Sequence, residues 1–168
     1  MVRVLIALLL TAASSFAASV EPVPCISPPS LDVCLEQPPI FATYGCLKIR
    51  FEGLPENVGK QLLSEVRESL EFLDTKVKTC LGDCYCKELS LVLNVQVSKN
   101  DKGFYTGKLV FTDESTGKRL TELELSPVGN LPSLLKEIGY AVGCSAITSV
   151  AGSYKDAAEK YESLLRRH

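Results

Sequence analysis

Seven cysteines and a single histidine set the chemical repertoire of this 168-residue chain. Thiols can form disulfides, hold soft metal ions or exchange with other thiols. The histidine is the last residue, His168. Neither a buried Ser-His or Cys-His pair nor a histidine-based zinc site is therefore expected. The sequence carries no Gly-rich phosphate loop and no G-x-S-x-G turn. Glu122 and Glu124 share one strand face, where solvation explains them. With 18 Lys+Arg against 20 Asp+Glu, the net charge of −2 gives no generic grip on nucleic acid or anionic lipid. No cofactor, no catalytic residue and no nucleic-acid partner are expected.

The first residues read as an address. Arg3, the apolar run Val4–Ala13 and the small residues from Ser14 to Ser19 predict a secretory signal peptide over residues 1–17. The apolar run falls well short of the roughly 20 residues that a spanning helix needs. No stable membrane span is expected after cleavage, and the mature chain is expected to be periplasmic or secreted. Such spaces are oxidising, and disulfides form there by default.

The remaining elements must position the cysteines. Residues 18–44 carry Pro22, Pro24, Pro28, Pro29, Pro38 and Pro39 with Cys25 and Cys34, and predict a proline-rich extended arm. Residues 45–150 read as one domain. Leu47, Ile49 and Phe51 alternate with Lys48 and Arg50, which predicts a strand over 45–51. Leu62, Val66, Leu70, Leu73 and Val77 share one helical face and predict a helix over Val58–Cys80. Leu89, Leu91, Leu93, Val95 and Val97 alternate without a break, so 89–98 is a strand with one face in the core. Two further strands, Phe104–Thr112 and Arg119–Ser126, complete a meander. Asn130 caps a second, strongly apolar helix, in which Gly139 and Gly143 suggest close packing onto the sheet. Ser153 and Asp156 open a C-terminal amphipathic helix in 151–168, with Tyr154, Tyr161, Leu164 and Leu165 on one stripe. The predicted fold is α+β. It has a mixed four-stranded sheet in β-α-β-β-β-α order with two helices on one face, plus the C-terminal helix, all stapled by disulfides.

In that fold Cys46, Cys80, Cys84, Cys86 and Cys144 approach one pole, while Cys25 and Cys34 sit on the arm. Cys25, Cys34, Cys46, Cys80, Cys84 and Cys86 are the candidates for three disulfides, each worth roughly 2–4 kcal/mol. Cys144, on an apolar helix face, is the candidate free thiol, with Cys80, Cys84 and Cys86 as other candidates for the odd one out. Three alternatives stay open. Cys80-x3-Cys84-x-Cys86 with Cys46 or Cys144 could supply four thiolates to a metal ion. Cys84-Tyr85-Cys86 could be redox-active. The odd cysteine could bridge two molecules.

Gly103, Tyr105, Leu109 and Asp113, running into Thr116-Gly117 and Leu120, form a G-x-Y-x-x-x-L-x-x-x-D hairpin followed by a D-x-x-T-G-x-x-L turn. With this hairpin, Leu47–Val150 resembles the small βαββ(β)α domain shared by the TolB amino-terminal domain, the periplasmic part of CsgG-type secretion proteins and the Lpo-type cell-wall synthase activators. The first strand, Leu47-Lys48-Ile49-Arg50-Phe51, departs from the usual V-A-V-x-P-F, and the cysteines lie outside that pattern. The resemblance implies a non-enzymatic protein-binding or assembly module of the cell envelope, whose partner is another protein or further copies of itself. The stripe Tyr154, Tyr161, Leu164 and Leu165, the arm and the free sheet face are the candidate partner-binding surfaces. The alternative function is a thiol-based redox or metal-binding protein that uses the cysteine cluster.

Overall fold

Residues 25–167 are described by a computed structural model. The expected signal peptide and the start of the arm lie outside the described residues. The chain order is α1 (Leu31–Leu35), α2 (Ile40–Thr43), β1 (Cys46–Glu52), a 3-10 turn (Glu56–Val58), α3 (Gly59–Phe72), β2 (Lys78–Leu81), β3 (Ser90–Lys99), β4 (Tyr105–Asp113), β5 (Arg119–Val128), α4 (Leu131–Val150) and α5 (Tyr154–Arg166). The strands form one five-stranded mixed sheet in the order β2-β1-β3-β4-β5. β1 runs parallel to both β2 and β3, and β3, β4 and β5 form an antiparallel meander.

The alternation of the strands decides the faces. Leu47 and Ile49 of β1, Leu91, Leu93 and Val95 of β3, and Leu109 and Phe111 of β4 are all buried in one core with the helices. Their intervening neighbours point the other way. The α+β class, the parallel crossover and the meander follow the sequence expectation. The strand count does not, because the predicted helix over Val58–Cys80 is two elements. Helix α3 ends at Phe72, and Asp74 turns the chain with a positive φ of 57°. Thr75 donates from both its N–H (3.0 Å) and its hydroxyl (2.7 Å) to the Leu70 carbonyl, which closes the helix end. Lys78–Leu81 then adds to β1 as a fifth, parallel strand. Thr75, Val77, Thr79 and Leu81 alternate, and three of them are β-branched, which suits a strand. Val77 matched the helical period by coincidence.

The arm is also corrected. Rather than being extended throughout, it folds into α1 and α2, with the Ser30 side chain capping α1. Pro28, Pro29, Pro38 and Pro39 flank these short helices and lie outside their turns. The arm packs on α4 and the sheet. The Phe41 N–H donates to Ser149 Oγ at 3.1 Å, and the Phe41 ring meets Phe111 edge-on with centroids 6.1 Å apart. The expectation of two helices on one face is likewise too small. Residues of α1, α2, α3, α4 and α5 all join the same core against the inner sheet face.

Helix α5 packs in that core as well. Tyr161 and Leu164 of the expected partner-binding stripe are buried there, at 4% and 0% exposure. Leu165 packs against the core at its margin, and only Tyr154 is well exposed. An amphipathic stripe shows that something covers it but not what, and here α4 does. Gly139 and Gly143 open α4 toward neighbouring helices and not toward the sheet. A Cβ at Gly143 would run into Leu164 Cδ2 of α5, and one at Gly139 would press on Ser69 and Glu65 of α3.

Gly143→Ala should therefore destabilise the protein by about 1–3 kcal/mol through overpacking, read by denaturant unfolding. Gly152→Ala, where no atom comes closer than 4.0 Å, is the control. Equal stabilities would show that α5 does not seat on Gly143.

Candidate interaction face and its cystine loop

The described helices gather on the inner side of the sheet, with α5 seated on α4 and α1, which leaves the outer face for function. The outer positions are Lys48, Arg50 and Glu52 on β1, Val92, Asn94, Gln96 and Ser98 on β3, and Thr106, Lys108, Val110 and Thr112 on β4. Glu122 and Glu124 of β5 join them. Val92 is buried between Lys48 and Thr112, and Val110 between Asn94 and Glu122. Ion pairs lace the surface: Lys48–Glu114 at 2.8 Å, Arg119–Glu122 at 2.7 Å and Lys108–Glu122 at 3.5 Å. Surface pairs such as the last two each add about 0–1 kcal/mol, so they shape the face more than they hold it. Where β3 ends and β4 begins a groove opens, lined by Glu52, Gln96, Ser98, Thr106, Lys108 and Glu124 among others.

The turn after β4 is fixed by one carboxylate. Asp113 Oδ1 accepts from Ser115 Oγ at 2.7 Å and from the Thr116 N–H at 3.0 Å. Its Oδ2 accepts from the Tyr44 hydroxyl at 2.5 Å. The Tyr44 bond, then the Ser115 bond, hold the Asp113 carboxyl far below the usual carboxylate range. The D-x-x-T-G stretch is thus a self-capped turn and not a reactive site. A second carboxylate has no sequence signal to mark it. Glu137 sits among Leu134, Leu135 and Ile138 and is 1% exposed. Its Oε1 accepts the Ser126 N–H at 2.7 Å, and burial pushes its pKa up. It ties α4 to the end of β5, well away from the outer face.

The cysteines form three bridges. Cys34 joins Cys144 with a Cα separation of 4.7 Å, and both are fully buried. Cys46 joins Cys86, and Cys80 joins Cys84, each with Cα atoms 6.5 Å apart. The free thiol is Cys25, which is exposed. Cys144 is therefore not the spare, and Cys25 is not a bridge partner. The reason is α1, whose apolar face carries Cys34 onto α4. The run Leu31-x-x-Cys34-Leu35 behind a Ser30 cap was the sequence signal for this. The expected pole of five cysteines reduces to four. Cys46 and Cys80 lie on adjacent strands, both on the outer face, because Cys80 pairs in register with Lys48 and not with a helix end.

Cys84 and Cys86 staple the loop after β2 onto that edge. Arg50–Asp83 at 2.7 Å and Lys78–Glu88 at 3.1 Å add ionic ties. The loop thereby presents Tyr85, 87% exposed, between two bonded cysteines. A Glu88 oxygen lies 3.0 Å from Cys86 Sγ and 3.6 Å from Cys46 Sγ. The Lys78 ammonium holds the Glu88 carboxyl below its ordinary range.

Loop-closure entropy ranks the bridges. The span of 110 residues between Cys34 and Cys144 is worth about 5 kcal/mol, and the span of 4 between Cys80 and Cys84 about 2 kcal/mol. With its sulfurs sealed from solvent as well, Cys34–Cys144 should be the last bridge opened by a mild reductant. Timed alkylation and mass spectrometry should find Cys25 labelled first, then the four loop and edge cysteines. Early labelling of Cys144 would contradict this order. Tyr44→Phe should let Asp113 titrate at a higher pH, followed by carboxyl-carbon NMR. Because folding lowers this pKa, the stability it contributes is present above the unfolded value and is lost as pH falls. The variant should lose it at a higher pH than the wild type. An unchanged titration would show that Tyr44 does not hold Asp113 ionised.

No protein-family model matches the chain, and no curated protein sequence matches it. Among solved structures the chain is similar to two crystal forms of the PelC dodecamer from Paraburkholderia phytofirmans. One is a leucine-to-methionine variant of PelC, at 11% identity and a TM-score of 0.43. The other is at 10% identity and 0.44. Each comparison covers 70% of this chain and 94% of the PelC chain.

Proposed function

We propose that this chain is a non-enzymatic protein-binding or assembly module of an oxidising compartment outside the cytoplasm, periplasmic or secreted, and that it binds through its outer sheet face. The observation that carries the reading is the uncovered five-stranded sheet. The described arm and helices are all spent on the core at the inner side of the sheet. What remains outside is a broad, mixed-charge, groove-bearing surface flanked by a rigid cystine loop with an exposed tyrosine. Surfaces of this kind, with polar side chains on a stiff scaffold and an aromatic anchor beside them, suit protein recognition. The three bridges support the compartment, since disulfides persist where thiols are not kept reduced. No described helix is long and apolar enough to cross a membrane. The resemblance of Leu47–Val150 to the TolB amino-terminal, CsgG-type and Lpo-type domains points to the same class of function.

Photo-cross-linking in the native compartment tests the surface. A photoreactive side chain at Asn94 or Gln96 should give adducts, identified by mass as another protein or as a second copy of this chain. The same probe at Glu159, on the exposed side of α5, should give none. Adducts confined to Glu159, or none at Asn94 and Gln96, would contradict the proposal.

A further inference from the structure

We propose that the Cys46–Cys86 bridge gates a soft-metal site. Once a dithiol reductant opens the bridge, the two thiolates and the Glu88 carboxylate bind one divalent ion of the zinc class. Cys46 Sγ, Cys86 Sγ and a Glu88 oxygen all lie within 4.8 Å of one another. Zinc holds sulfur at about 2.3 Å and carboxylate oxygen at about 2.0–2.2 Å, so ligands sharing one tetrahedral ion sit about 3.4–3.8 Å apart. The Glu88 oxygen is already 3.0 and 3.6 Å from the two sulfurs. The sulfurs must separate, which cutting their bond allows, and the Cys86–Glu88 contact must lengthen by about half an ångström.

Glu88 is built into this position. A Cβ at Gly45, the residue before Cys46, would collide with Glu88 Cβ and Cγ at 2.7 and 2.8 Å. Glycine there lets the Glu88 side chain lie against the start of β1. Lys78 holds the other carboxylate oxygen at 3.1 Å, which leaves one oxygen for the sulfurs. The ammonium also favours ionised ligands nearby, as metal binding requires. Glu88 is exposed, so the fourth position opens to water.

Access separates this bridge from the core one. Cys86 is half-buried in the surface loop, whereas both sulfurs of Cys34–Cys144 belong to fully buried residues. A thiolate of the dithiol attacks Cys86 Sγ and forms a mixed disulfide, releasing Cys46 as a thiolate. The second thiol of the reductant then closes a cyclic disulfide and frees Cys86. Two electrons pass to the protein, and the reductant leaves oxidised. The ion then displaces the thiol protons. The set differs from the four thiolates considered from sequence, because Cys144 is locked in the core and the atoms that converge are those of Cys46, Cys86 and Glu88. It does not depend on which partner the outer face binds.

Cobalt(II) titration tests the site on the full mature chain. The chain is reduced just until Cys46 and Cys86 become open to alkylation in a withdrawn sample, and the unalkylated remainder is freed of reductant and checked for an intact Cys34–Cys144 bridge. The reduced protein should bind one equivalent with sulfur-to-cobalt charge-transfer absorption, and zinc should displace it. The oxidised protein should bind none. Glu88→Gln, an exposed change that spares the fold, should weaken binding at least tenfold. The Cys80→Ser/Cys84→Ser double variant should bind like the wild type. No charge-transfer band in the reduced protein, unchanged affinity in Glu88→Gln, or loss of binding in the Cys80/Cys84 variant would each overturn the proposal.

Discussion

Helix α4 has almost no side to give to water. From Leu134 to Ile147 all but one residue is buried, including Glu137 and Ser145. A helix that is apolar all round must be wrapped on every side. The sheet covers one side and α3 another. The rest falls to the arm and α5, which arrive from opposite ends of the chain. Cys34–Cys144 locks the first of these, and the approach of Leu164 to Gly143 seats the second. The Tyr161 hydroxyl donates to the Pro29 carbonyl at 2.6 Å and joins the two coverings to each other.

This requirement decides which surface is left for function. An amphipathic terminal helix and a proline-rich arm look in sequence like parts held out for a partner. Here α4 has already claimed both. The outer sheet face is what no described helix covers. Its edge at β2 is blunted by being short, cystine-stapled and charged, which are devices that protect a sheet edge from unwanted pairing. Recognition can then rest on side chains and on the loop carrying Tyr85.

Much of the fold was legible where one physical cause acted alone. The unbroken alternation of Leu91 to Val97 fixed β3, and the caps at Asn130 and Ser153 marked the helix starts, with side chains accepting from Ser133 and Asp156. Legibility failed where two causes overlapped. Val77 fits both a helical and a strand period, and only the turn at Asp74 decides between them. Cys144 looked spare because its partner lies 110 residues away on a helix of five residues. Glu137 carries no signal in the sequence, because nothing in its neighbourhood reveals that Ser126 comes to meet it. The outer face itself was legible only as one of three candidates. Choosing among them required knowing what covers α4.

The wrapping of α4 is tested most directly by mapping the cystine-linked peptides of the native protein by mass spectrometry without reduction. The structure predicts a peptide pair joining Cys34 to Cys144, with Cys25 alkylated as the free thiol. A Cys25–Cys34 bridge with Cys144 free would detach the arm from α4 and contradict the account.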